Sequence, residues 1–260
     1  MTLICVASPK GGVGKTTLTA NLAYTLQRQG LNVTVIDFDS QDALKLHFGI
    51  AFNDAQGYVV EAASTPYWGE MARTTASGID VLAYGCTTRE QRHRFETFLA
   101  NDPRALYQAL SGFYNSPNDV LLVDLPPGHS VALEAVCQLK PLCITMLMAD
   151  SASLAVLPSI ESGGFYPDTI GRHLYYVANQ LDLRNDLSRD VYALLKERLK
   201  ASLLGAVHRD AAVSEAHALQ VSVLQHAYTS AVVNDIEAIA HNLIRLMQDA
   251  ELSQVRKEGE

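Results

Sequence analysis

The segment Lys10-Gly11-Gly12-Val13-Gly14-Lys15-Thr16-Thr17 sets two lysines and two hydroxyls around three glycines, a composition suited to holding phosphate. The glycines let backbone N–H groups turn inward around phosphate oxygens, and the N-terminus of a following helix adds positive potential. In such a loop Lys15 bridges the terminal phosphates of a nucleotide and the Thr16 hydroxyl ligates Mg²⁺. The context agrees. An apolar run, Leu3 to Ala7, precedes the loop, and Leu18, Leu22, Ala23 and Leu26 follow at helical spacing until Gly30 stops the helix.

Three acids and one amide stand where a second set of contacts is expected. Asp37 and Asp39 end the run that starts at Val33, with Gln41 two residues on, and carboxylates at a strand's carboxyl edge reach a nucleotide crevice. Asp124 closes the run Val120 to Val123 before Leu125-Pro126-Pro127-Gly128; an acid in an apolar strand needs a partner, and Mg²⁺ or its water would serve. Asn179 follows the strand His173 to Ala178, and its amide can both donate to and accept from a base edge. Each also has a plainer reading: helix caps for the aspartates, a turn former for Asn179, a solvated loop lysine for Lys10.

These residues need a scaffold that brings strand ends together. Short apolar runs recur at Leu3–Ala7, Val33–Ile36, Val81–Ala83, Val120–Val123, Leu142–Met148, Leu174–Ala178 and Leu203–Val207, with helix-like segments between them. That alternation predicts an α/β fold, a mostly parallel twisted sheet of about seven strands covered on both faces. Ile236, Ile239, Ala240, Leu243 and Met247 give one more packed helix, and Glu251 to Glu260 reads as a charged tail. One domain over 1–250 with a tail over 251–260 is expected, since 260 residues with 48% hydrophobic content suffice for a single large core.

The phosphate loop matches, residue for residue, the K-G-G-x-G-K-[ST] motif of the ParA/MinD family of P-loop ATPases, and the chain resembles that family over nearly its whole length. The resemblance implies an ATP-dependent homodimer in which Lys10 reaches the phosphates held by the partner subunit. It further implies that Asp39 orients the attacking water, that Asp37 and Asp39 join Thr16 and Asp124 around the metal, and that Gly128 offers its N–H to the γ-phosphate. Asn179 would read adenine. Val207-His208-Arg209-Asp210 and Ser214-Glu215-Ala216 occupy the place of that family's I-P-R-x-x-x-x-S-E-A segment near the base, with His208 where proline is usual. The expected nucleotide contacts are thus Gly11, Gly12, Val13, Gly14, Lys15, Thr16, Thr17, Gly128, Asn179 and His208, with Lys10, Lys15 and Asp39 catalytic and ATP and Mg²⁺ as cofactors.

The H-R-D element at His208, Gln56-Gly57-Tyr58 and the strand Ile79 to Gly85 are similar to the cellulose-synthase-operon branch of the family. That branch implies a cytoplasmic dimer working through accessory subunits of a cellulose synthase complex at the inner membrane. Other branches fit the composition less well. A net charge of -8 opposes nucleic acid, so a DNA-partitioning role is not expected, and Arg89 to Arg94 reads as a solvated helix face. A membrane-positioning ATPase would need an amphipathic C-terminal anchor, and the tail is apolar-poor. A scaffold that binds nucleotide without hydrolysing it remains an alternative. Cys5, Cys86, Cys137 and Cys143 lack a C-x-x-C pair and read as free thiols.

Overall fold

The computed structural model describes residues 2–101, 103–171 and 173–258. Eight strands form one sheet: β1 (Thr2–Ala7), β2 (Asn32–Asp37), β3 (Arg73–Thr74), β4 (Asp80–Leu82), β5 (Asp119–Asp124), β6 (Leu142–Met148), β7 (Leu174–Leu181) and β8 (Leu203–His208). Their order is β3-β4-β2-β5-β1-β6-β7-β8. All pairings are parallel except β3 with β4. The seven apolar runs of the sequence are the seven parallel strands. The eighth, β3, is two residues at an edge, too short to leave an alternating pattern.

The helices are α1 (Lys15–Arg28), α2 (Val59–Ala62), α3 (Arg89–Asn101), α4 (Pro103–Leu110), α5 (Val131–Gln138), α6 (Ser151–Glu161), α7 (Asp186–Leu199), α8 (Ala211–Ala218), α9 (Val223–His226) and α10 (Ala231–Glu258). They divide between the two faces because successive strand side chains point opposite ways. On β1, Leu3, Cys5 and Ala7 join a core with residues of α3 to α7, whereas Ile4 and Val6 join one with α1 and α8 to α10. Both faces being dry explains why the strands are nearly continuous apolar runs. Cys5, Cys137 and Cys143 are buried in the first core as free thiols, and Cys86 is exposed. The last helix runs to Glu258; the side chains of the expected tail 251–260 lie outside the described residues. Among those that are described, no helix is long and apolar enough to cross a membrane.

The order places β1 at the centre, with β5 and then β2 on one side and β6 and then β7 on the other. Their carboxyl ends therefore bring the loop after β1, the acids of β2 and β5 and Asn179 of β7 to one rim, where open α/β sheets bind ligands. A brace behind β2 involves two segments distant in sequence. A Cβ added at Gly57 would lie 2.2 Å from the Gly85 nitrogen, so only glycine permits the close approach of the backbones. The contact seats Tyr58, 1% exposed, where its hydroxyl donates to the Asp37 carbonyl at 3.2 Å.

Candidate functional site

Gly12 and Gly14 have φ of 72° and 91°, left-handed values at which a side chain is strained. At Gly14 space is also lacking: a Cβ would lie 2.4 Å from Asn179 Nδ2, whose amide donates to the Val13 carbonyl at 2.7 Å. Gly14 is the cap of α1, and no side chain caps the helix there. The first-turn N–H groups are thus available to an anion. Lys15 is 7% exposed; burial lowers its ammonium pKa, and Asp124, Asp39 and Asp37 act in the opposite direction. Val13 is buried under the loop and Thr17 faces the neighbouring cavity.

Asp37 and Asp124 are register partners at the ends of β2 and β5, each 0% exposed. Burial raises both carboxyls, and Asp124 raises Asp37 further. Asp124 is pushed up to about 7, chiefly by burial, against the Thr16 hydrogen bond and the Lys15 charge. Thr16 Oγ1 donates to Asp124 Oδ2 at 2.5 Å, while Asp124 Oδ1 is buried without a hydrogen-bond partner among the described residues. An unpartnered buried carboxylate oxygen beside a hydroxyl suits a hard, oxygen-seeking cation. The pair fits Mg²⁺.

The other carboxylates have occupations of their own. Asp37 Oδ1 accepts from the Asp39 N–H at 2.8 Å and Oδ2 from the Leu44 N–H at 3.1 Å, so both oxygens shape the turn that presents Asp39. Asp39 is partly exposed at the rim and accepts from the Gln41 N–H at 3.0 Å. The Gly128 N–H donates to the Ser8 carbonyl at 2.9 Å. Lys10 Nζ lies 3.3 Å from Asp150 Oδ2, and Asp150 also caps α6 through the Ser153 N–H at 2.7 Å.

Beside the loop, a cavity of about 310 Å³ is lined by Thr17, Asn21, Asn179, His208, Asp210 and His217 among others. Its size and its mix of apolar and polar lining are those of a small-molecule pocket. His208 is fixed within it, its Nδ1 2.8 Å and its backbone N 2.9 Å from Asp235 Oδ2 of α10.

A family model described as "Cellulose biosynthesis protein BcsQ" matches residues 1–244. The chain belongs to the BcsQ family. The BcsQ of Escherichia coli (strain K12) is 26% identical over 245 residues, 93% of each chain. Among solved structures, the MinD of the Aquifex aeolicus MinC:MinD cell division complex superposes with a TM-score of 0.74 at 18% identity, covering 94% of this chain and 96% of that one. The septum site-determining protein MinD from Pyrococcus horikoshii, complexed with Mg-ADP, does so with a TM-score of 0.71 at 19% identity over 94% and 96% of the two chains. These likenesses establish for this chain the fold of the MinD and ParA proteins.

Sequence reasoning overlooked several residues that the fold brings to the candidate site or behind it. Asp150 follows β6 much as Asp124 ends β5, so a signal existed. Asp235 had none, being 27 residues from His208. His47 and His217 were missed as well: their rings stack with centroids 4.3 Å apart and planes at 9°. His47 is 2% exposed, and burial, aided by His217, lowers its pKa to about 4. Folded below its unfolded value near 6.5, this group contributes stability that is present above about pH 6.5 and lost as pH falls toward 4. Full protonation should cost the ligand-free protein roughly 3 kcal/mol. His47→Phe should flatten that part of a urea-melt pH profile; an unchanged slope between pH 6.5 and 4 would contradict the burial argument.

Proposed function

We propose that the chain is a Mg²⁺-dependent ATPase that dimerises on ATP and serves assembly or localisation of a cellulose synthase secretion complex. The observation that carries the nucleotide reading is the orphaned Asp124 Oδ1 beside the Thr16 hydroxyl, under an uncapped helix start with a buried Lys15. Residues 1–250 are the working unit. Lys15 and the loop amides hold the phosphates; the cavity beside Asn179 and His208 receives the base. Thr16 and Asp124 would hold Mg²⁺, with Asp37 and Asp39 around it, and the ion would supply charge neutralisation at the phosphate oxygens. Asp39, steadied by Asp37, orients the attacking water. Phosphoryl transfer asks little covalent chemistry of a protein, so positioning of this kind is the main contribution, and slow turnover fits a timed switch.

Binding frees Gly128 from Ser8 and lets its N–H turn to the γ-phosphate. Lys10 would leave Asp150 and cross to the nucleotide of a partner subunit. Support for ATP and Mg²⁺ comes also from the Mg-ADP complex of the MinD relative, and for the cellulose role from the family's description. The net charge of -8 favours protein partners over nucleic acid. We read the protein as cytoplasmic, reaching the inner membrane through accessory subunits.

Light scattering with and without Mg-ATP tests the dimer. Wild type should double in mass only with ATP, and Lys10→Ala should stay monomeric while binding ATP within about threefold of wild type, since its contact is made across the interface. An ATP-dependent Lys10→Ala dimer would refute the crossing role.

A further inference from the structure

The base cavity and the Asp37–Asp39 turn are joined by a short run of direct contacts. His217, on α8, has part of its surface on the cavity wall and one ring face against His47. His47 belongs to the 3-10 turn Leu44–Phe48, which is clamped to α1 on one side: the Tyr24 hydroxyl donates to the His47 carbonyl at 3.1 Å, and the Tyr24 and Phe48 rings stack at 5.2 Å. At its start the turn is tied to Asp37 Oδ2 through the buried Leu44 N–H. The other Asp37 oxygen holds the Asp39 N–H. None of these links is a long flexible side chain, so a displacement at His217 has little slack in which to be lost.

We propose that His217 is a positioning residue that joins a purine base in the cavity to Asp39, through His47, Leu44 and Asp37. The proposal rests on the ATP-binding reading above. A base entering the cavity meets the exposed part of the His217 imidazole, and His47 behind it fixes where that ring sits. The bound base in turn holds the two rings in register and, with them, the turn that carries Asp39. ATP would then be hydrolysed faster than the phosphate contacts alone allow, because the base contributes to the order of the switch turn. The role differs from that of Asn179 and His208, which face the cavity but are tied to the phosphate loop and to α10 respectively.

The test uses the full chain and two ligands, Mg-ATP and Mg-tripolyphosphate, which has the phosphates without a base. His217→Ala should weaken ATP about fivefold, the scale of one lost ring contact, and leave tripolyphosphate affinity by calorimetry unchanged. At saturating ATP its single-turnover hydrolysis should fall about tenfold. His217→Phe keeps a ring against His47 and should restore that rate to within about twofold. In a double-mutant cycle with His47→Ala, which removes the opposing ring, the effects of His217→Ala on rate should be non-additive. Equal weakening of both ligands, or a wild-type rate for His217→Ala at saturation, would overturn the coupling while leaving the nucleotide reading intact. Failure of the wild-type chain to bind Mg-ATP would overturn both.

Discussion

Lys15→Ala should lose measurable Mg-ATP binding, with Kd by calorimetry raised at least about a hundredfold. The estimate follows from charge-assisted hydrogen bonds to phosphate worth roughly 1.5–3 kcal/mol each, of which the ammonium supplies at least two. The cradle gives the lysine no easy substitute. Its ammonium is desolvated by burial, so it already bears part of the cost of meeting an anion in a dry site. The same burial raises a question of packing, because the stem is nearly inaccessible. Lys15→Met resolves it by keeping the apolar length and removing the charge. If Lys15→Met binds like Lys15→Ala and both melt cooperatively, charge is the cause; wild-type affinity in either variant would sink the cradle.

Which parts of the fold and site could be read from sequence depends on how local their causes are. The strands were legible because burial on both faces makes each a continuous apolar run; β3 was not, because Arg73 and Thr74 are placed by pairing with Val81 and Asp80 and not by an apolar pattern of their own. The phosphate loop was legible since its glycines, lysines and threonines act within eight residues. Gln56-Gly57-Tyr58 and Tyr84-Gly85 were visible as two separate features, and only the fold makes them one brace, backbone against backbone behind Asp37. Asp150, Asp235 and the His47–His217 stack owe their roles to partners brought together by the sheet order and by α10. No periodicity records such meetings.

The two cores also divide the labour at the rim. Trp68, Phe38, Tyr58 and Phe95 form an aromatic cluster under β2 in the first core, so the turn that begins at Asp37 rises from a rigid base. The base cavity is built from the second core, by α1, α8 and α10. On the proposed reading, nucleotide would lie where the two meet. Its phosphates would rest on β1 and β5, common to both, which makes the acids near them sensitive to movement on either side.

Asp39→Ala should separate binding from turnover. Unlike Asp37 and Asp124, Asp39 is not buried; its carboxylate accepts from the Gln41 N–H through one oxygen and sits partly exposed at the rim. Removing it takes no hydrogen bond from the phosphate cradle, and Asp124 and Asp37 still offset the burial of Lys15, so ATP affinity should stay within about threefold of wild type, a change of under ~1 kcal/mol. Loss of a positioned carboxylate at the attacking water should lower kcat about 100-fold or more, the usual range for general-base or orienting groups. Since hydrolysis is what would end the ATP-bound state, the variant should accumulate as a dimer in ATP and persist after wild type has returned to monomer. Asp39→Asn sharpens the test, because an amide keeps the size and the bond to Gln41 but is a poor proton acceptor. It should be slow like Asp39→Ala if the carboxylate handles the proton of the water, and partly restored if orientation alone matters. Turnover at the wild-type rate in Asp39→Ala would remove this residue from the reaction, and the next acid to examine would be Asp124, whose carboxyl sits near neutrality at about 7.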